Sequence, residues 1–362
     1  MNLMKVSNEV DGDRKLMAHT SRRQFLVALG ATAAGAVLPA RAAIPPLASF
    51  FVVGDTHFFA DKTQPDQLDA TSASYTARLV DTLNRLPGTE FSEVVGGGKV
   101  PVPNGVLHVG DVIDTGDKNG TTQLAMQRTE WAAYVAQFGL TGTEGRLKFP
   151  VVEIAGNHDA PRGTGHAIEQ MAARQRARKN LKGLSKNGLH SSWEWGGIHF
   201  VSLGLIVGTD RSVDRKRRYA AMDSLAFLLE DLANTPKDKP LVLMHHVDMV
   251  RFTAAKPDAD YTKWEWDPAD VAAFYQAIKG RRAAIFYGHT HVRNVFRWDG
   301  KSTKAADGVA VFNVDNSSHF SSPAQAFFHV EVRGDGLTVR EFVTRDGWQT
   351  GQWTPQIWQA SV

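Results

Sequence analysis

Cysteine is absent from the 362 residues, which excludes disulfides, thiolate-held zinc, iron–sulfur clusters and a cysteine nucleophile. Long apolar runs are almost absent too. The only one, Phe25 to Leu38, has 14 residues against the roughly 20 that cross a bilayer, so no stable membrane span is expected. From Ala43 onward there is no low-complexity tract, heptad pattern, 20 to 50 residue repeat or Pro/Ser linker, which argues against a solenoid or a string of modules. A large charge excess is missing as well: 41 Lys+Arg stand against 38 Asp+Glu, a formal +3. What remains is ordinary globular usage, 43% hydrophobic and 22% charged, which excludes a wholly disordered or fibrous chain.

The small positive excess lies at the start. Residues 1–42 hold six Lys/Arg against three Asp/Glu, so the rest of the chain carries 35 of each and is neutral. No specific nucleic-acid partner and no attraction to acidic membranes is expected of a neutral chain; any pull on anions must be local. Ser21-Arg22-Arg23-Gln24-Phe25-Leu26 precedes the short Ala/Gly-rich apolar run, and Pro39-Ala40-Arg41-Ala42 follows it. That order of charged region, apolar region and small-residue cleavage site resembles a twin-arginine export signal. It implies a leader over 1–42 cleaved after Ala42, a single domain over 43–362, the twin-arginine translocase as a transient partner, and a periplasmic or secreted protein exported already folded with its cofactor.

In 43–362, short β-rich apolar runs recur at Phe50 to Val53, Val106 to Val109, Val151 to Ile154, Ile198 to Leu203, Leu241 to Met244, Ala283 to Tyr287, Val309 to Val314, Phe327 to Val332 and Leu337 to Val343. They alternate with helical periodicity over Ser72 to Leu86, Thr122 to Phe138, Ala220 to Leu232 and Pro268 to Ile278, the last with Asp267 as N-cap. Strands alternating with helices predict a layered α/β fold. Five of the runs end in polar groups: Gly54-Asp55-Thr56-His57, Gly110-Asp111-Val112-Ile113-Asp114, Gly156-Asn157-His158-Asp159, His245-His246 and Gly288-His289-Thr290-His291. The carboxyl ends of strands form the binding edge of an open α/β sheet, so these groups can converge there. Two carboxylates, one amide and four imidazoles form a sulfur-free set suited to Mn, Fe or Zn.

These blocks, in this order from residue 54 to residue 291, resemble the D-x-H, G-D-x-x-D, G-N-H-D, H and G-H-x-H blocks of the calcineurin-like metallophosphoesterases. The resemblance implies a four-layer α/β/β/α sandwich with a dinuclear metal site at strand carboxyl ends. Asp55, His57 and His291 would hold one metal, Asn157, His245 and His289 the other, and Asp111 would bridge them. Two divalent or trivalent transition metal ions would leave a local positive charge for a phosphate ester, attacked by a hydroxide shared between the metals. His158 would donate a proton to the leaving oxygen or stabilise phosphate charge, with Asp159 orienting it. Adjacent residues at a strand end face opposite ways, so only one of His245 and His246 should reach the metals. The family's H-x-P pattern selects His245, although Val247 stands at the proline position.

Departures from the family's branches narrow the substrate. Thr115 and Asp159 replace the Arg and Glu of protein Ser/Thr phosphatases, and Asp114 stands where purple acid phosphatases have a metal-binding Tyr. The expected activity is hydrolysis of small phosphodiesters, with a phosphomonoesterase or nucleotidase as the alternative and a metal-binding module without turnover as the remote one. A two-zinc amide or lactam hydrolase is disfavoured because its H-x-H-x-D-H cluster is missing. Two basic runs, Arg211 to Arg218 and Arg174 to Lys179, read as solvated faces. Tyr261, Trp264 and Trp266 read equally as cleft walls or packing, Trp348, Trp353 and Trp358 as packing of the carboxyl-terminal tail, and His108 as a core histidine.

Overall fold

A computed structural model describes residues 47–210, 218–253 and 265–362. The expected leader over 1–42, and Arg211, Arg215, Lys216, Arg217, Tyr261 and Trp264, lie outside the described residues. The strands are β1 (Ala48–Val53), β2 (Gly105–His108), β3 (Val151–Glu153), β4 (Gly183–Leu184), β5 (Ser191–Trp195), β6 (Ile198–Ser202), β7 (Leu241–Met244), β8 (Ala283–Tyr287), β9 (Asn294–Trp298), β10 (Val309–Asn313), β11 (Gln325–Arg333), β12 (Gly336–Thr344) and β13 (Gln352–Ser361). The helices are α1 (Ala70–Arg85), α2 (Thr121–Gln137), α3 (His166–Ala177), α4 (Ser224–Ala233) and α5 (Pro268–Ile278).

Two sheets form, ordered β13-β12-β11-β1-β2-β3 and β4-β5-β6-β7-β8-β10-β9. The period of two along each strand divides its apolar side chains between two cores. Phe50 and Val52 of β1 meet Phe200, Val242, Phe286 and Phe328 in a core built, among the described residues, of strand and loop residues from both sheets and none from a helix. Phe51 and Val53 face the other way, into a core shared with Leu79, Leu83, Tyr134 and Phe274 of the helices. Each sheet thus covers one face with the other sheet and the second with helices, which is the α/β/β/α sandwich. Each fully buried aromatic or aliphatic side chain contributes roughly 1.5–3 kcal/mol of apolar transfer to holding these layers.

Parallel pairing joins β1, β2 and β3 in one sheet and β6, β7, β8 and β10 in the other. Their carboxyl ends are therefore the places where the polar blocks emerge. α5 opens as its sequence predicts: the Asp267 side chain accepts from the Ala269 N–H at 3.0 Å and Pro268 takes the first turn. α4 does not. It starts at Ser224 rather than Ala220, because Met222 and Asp223 sit at φ 52° and 60° and the Ser224 hydroxyl donates to Ile206 O at 2.8 Å, which pins the chain before it can coil. The tail packs as expected, with Trp348 stacked on Phe327 and Phe342. It also forms β13, an edge strand that accommodates Pro355 where its register with β12 is irregular.

Candidate metal centre

Asp55 and Asp111 are buried at the carboxyl ends of β1 and β2, and His289 follows β8. Asp55 accepts the His289 backbone N–H at 2.9 and 3.1 Å, which ties the two sheets together at this edge. Two glycines make the approach possible. A Cβ on Gly156 would lie 2.2 Å from the Asp111 carboxylate, and one on Gly288 would lie 2.3 Å from that of Asp55. Of the nine non-glycine residues with positive φ among the described residues, five belong to the cluster: Asp55, His57, Asp111, His289 and His291. Such left-handed conformations cost about 1–3 kcal/mol each and persist where the surrounding structure demands them, commonly at functional sites.

On one side of Asp111, the ligating atoms of Asp55, His57, Asp111 and His291 lie within 4.8 Å of one another; on the other, those of Asp111, His246 and His289 do. Asp111 Oδ2 is 3.6 Å from His57 Nε2 and 3.2 Å from His246 Nε2, so it belongs to both groups. Asn157 Oδ1 completes the second, 3.1 Å from His246 Nε2 and 2.7 Å from His289 Nδ1. Six of the seven metal-site residues expected from the sequence are thereby brought together.

The seventh is a correction. His245 is turned away, stacked on Tyr287 with centroids 5.7 Å apart and edge-on to Trp266 and Phe274. Its two ring nitrogens are buried without a well-formed hydrogen bond, and burial, with the charge of His246 behind it, pushes its pKa down to about 3. His246 takes the place. Along β7, Leu241 and Leu243 face the helices while Val242 and Met244 face the other sheet, and this parity carries His245 into the helix-side core and His246 toward Asp111.

The protons in this cluster point outward. His57 Nδ1–H donates to Asp114 Oδ1 at 3.2 Å, and His246 Nδ1–H donates to Val109 O at 2.8 Å. The Nε2 atoms of both rings then face inward, that of His246 toward the Asp111 and Asn157 oxygens and that of His57 toward Asp111 and, 3.1 Å away, His291 Nε2. Acceptors facing acceptors inside a buried cluster repel unless a cation lies among them, and imidazoles held by their other nitrogen are the usual arrangement around a metal. Among the protein's own ions only a proton can fill that role: burial opposes charge on His246, yet Asp111 and Asp55 outweigh it and raise its pKa to about 9. Conversely, burial favours a neutral Asp111, but His246 and His158 overcome this and hold its carboxyl well below the usual range. The donor set thus fits two hard or borderline cations.

His158 lies beside this cluster, its ring 4.7 Å from that of His57 and its side chain 35% exposed. The second correction concerns its partner. Asp159 does not orient it: the Asp159 carboxylate is buried and accepts the backbone N–H groups of Val112, Ile113 and Gly156. Burial and the neighbouring Asp111 raise its pKa to about 7 despite those bonds. Asp159 therefore clamps two loops, while His158 Nδ1 donates to the backbone oxygen of Asp114 at 3.1 Å.

Three residues outside the predicted site also border it. Asp114 backs His57, as given above. His319, in the loop after β10, packs its ring 4.5 Å from His57 and 4.9 Å from His291; burial and the His57 charge lower its pKa to about 4. Its sequence, Ser317-Ser318-His319-Phe320, carries no metal motif; the one signal was its place after another strand of the parallel set. Glu265 accepts from His289 Nε2 at 3.1 Å.

Of the remaining candidates, Trp266 is packing, fully buried between His245 and Phe274. His108 is a core residue bonded to the Thr56 hydroxyl at 2.9 Å. Arg174 and Arg178 are not a solvated face. They pair with buried Glu153 at 2.7 and 2.6 Å, while Arg176 and Lys179 are exposed. Arg218 is likewise buried against Asp270 at 2.7 Å. A cavity of about 730 Å³ lies elsewhere, lined by Lys182, Glu194, His199, Asp231 and Lys239. There the Ser192 hydroxyl donates to Asp231 rather than to an imidazole, so no nucleophile is activated.

No curated protein matches the chain. Among solved structures, a dimetal phosphatase from Danio rerio is similar at TM-score 0.50 and 11% identity, over 87% of this chain and 99% of that one. A structure of PhoD is similar at TM-score 0.46 and 12% identity, over 86% and 72%. Vacuolar protein sorting 29 from Cryptosporidium parvum is similar at TM-score 0.36 and 13% identity, over 87% and 98%. These are likenesses of fold. The family model for calcineurin-like phosphoesterases matches residues 48–293, which encloses every block from Asp55 to His291. Since that span is more than half of the chain, the chain belongs to the calcineurin-like phosphoesterase family.

Proposed function

We propose that the chain is a metal-dependent phosphodiesterase acting on small substrates. The observation that carries the reading is the convergence of carboxylate, amide and imidazole ligand atoms on both sides of Asp111. When bound, two divalent cations supply the charge that acidifies water and polarises a phosphoryl oxygen. The chain's own residues do the rest. Asp55, His57, Asp111 and His291 would hold one cation, and Asp111, Asn157, His246 and His289 the other. His158, anchored through Nδ1, keeps Nε2 for a proton at the leaving oxygen.

A diester fits the surroundings better than a monoester. A monoester dianion calls for additional free cationic side chains, but among the described residues Lys118 is paired with Asp114 at 3.1 Å and Arg218 with Asp270 at 2.7 Å, while Arg251 and Lys62 lie over the rings of Phe252 and Phe59 at 5.2 and 5.5 Å. The groups beside the cluster are the imidazoles of His158 and His319 and the rings of Phe252, Phe320 and Phe59. These suit a monoanion with organic substituents on both oxygens. The test compares bis-aryl and mono-aryl phosphate turnover by the 43–362 chain loaded with Mn, Fe, Zn or Co. A kcat/KM at least about tenfold higher on the diester, about 1.4 kcal/mol of transition-state preference, supports the reading. Turnover of neither ester with any of the four metals contradicts it.

Export by the twin-arginine route belongs to the same proposal and rests on Arg22, Arg23 and the leader pattern alone. An Arg22→Lys/Arg23→Lys chain should remain in the cytoplasm with its leader attached; unchanged export of that variant would contradict the route.

A further inference from the structure

Glu265 belongs to none of the motif blocks. It is 4% exposed, between the β7 loop and α5, and a buried carboxylate is costly unless it is hydrogen-bonded. Its backbone is held on both sides: Glu265 N–H donates to Phe252 O at 2.9 Å, and Tyr219 N–H donates to Glu265 O at 3.2 Å. Its side chain is held as well. Tyr219 O–H donates to Oε1 at 3.1 Å, and His289 Nε2–H donates to Oε2 at 3.1 Å. Phe252 closes the other side of the imidazole, with ring centroids 4.8 Å apart at 74°.

The consequence is a choice of tautomer. A carboxylate only accepts, so the His289 proton sits on Nε2 and the Nδ1 lone pair is turned to Asn157 Oδ1, 2.7 Å away, inside the second half of the cluster. On the first half, Asp114 does the same for His57 from the opposite nitrogen. Asp111 is therefore flanked by two imidazoles, each backed by a carboxylate from a different loop.

We propose that Glu265, braced by Tyr219, is a positioning residue that fixes the tautomer and orientation of His289 and so sets the affinity of the cation site formed by Asp111, Asn157, His246 and His289. This rests on the dinuclear reading given above. Partners of this kind change metal affinity about 10–100-fold when lost. The test is a titration of the chelator-stripped 43–362 chain with Zn or Mn, resolving both dissociation constants. Wild type should bind two ions. Glu265→Gln should weaken one site about 10–100-fold and leave the other unchanged, and Tyr219→Phe, which keeps the ring, should weaken the same site about threefold. A general loss of structure would move both sites, so both constants shifting together in Tyr219→Phe, or neither shifting in either variant, overturns the inference. Wild type binding fewer than two ions instead overturns the dinuclear reading itself.

Discussion

Two kinds of buried polar cluster in this molecule obey opposite rules. In the network of Glu153, Arg174 and Arg178, and in that of Ser192, His199 and Asp231, every acceptor meets a donor: guanidinium on carboxylate at 2.7 and 2.6 Å, imidazole on carboxylate at 2.6 Å. At the strand edge, His57, His246 and His289 each turn one ring nitrogen outward to Asp114, Val109 O and Glu265, and their other nitrogens crowd inward with the Asp111 and Asn157 oxygens. The first arrangement is complete as it stands and is scaffold. The second gathers ligand atoms in the manner of a cation site, and that difference separates it from the other buried charges more sharply than burial or cavity size does.

The comparison can be broken in graded ways. The largest effect should come from Asp111→Asn, which removes the one carboxylate shared by both halves: kcat/KM on an aryl phosphodiester should fall at least about 10³-fold, roughly 4 kcal/mol of transition-state stabilisation. Retention of a tenth of wild-type activity would contradict a shared role.

Next is Glu153→Gln in the closed network, which strands two buried guanidinium groups and should cost about 3–5 kcal/mol in a denaturant melt while leaving the metal count at two. Its pH dependence has a definite sign. Burial alone would raise the Glu153 pKa, but Arg174 and Arg178 outweigh it and lower it from 4.5 to about 2. The stabilisation is therefore fully present above pH 4.5 and lost as pH falls toward 2. Chelator-stripped wild type should lose stability over that window more steeply than the variant; parallel curves would contradict the assignment.

The smallest effect belongs to Ser192→Ala. Asp231 keeps its His199 bond, so the loss should be about 1 kcal/mol with kcat/KM unchanged. A loss of turnover would place that cluster in the catalytic machinery.

Much of this was legible from the chain. Strand β7 and helix α5 were read to the residue, and the blocks around Asp55, Asp111, Asn157 and His289 announced both the sandwich and its metal edge. What failed has physical causes. The choice between His245 and His246 depended on which face of β7 meets the other sheet, and Leu241-Val242-Leu243-Met244 is apolar on both faces, so composition carried no direction. The resemblance implies that Asp159 orients His158, but its carboxylate folds back onto three backbone N–H groups, a tertiary arrangement the motif does not encode. Glu265 and His319 reach the site through tertiary packing of loops, which no local pattern encodes. Short edge strands such as β4 and β9, and the positive φ values that delay α4, are likewise products of context.

The central claim is that acceptors at this edge converge on two cations through His246 and not His245. Metal analysis of the purified 43–362 chain after loading and desalting tests it most directly. Two ions per chain in wild type and in His245→Phe, with one in His246→Ala, is the predicted result. Two ions in His246→Ala with a loss in His245→Phe would contradict the account.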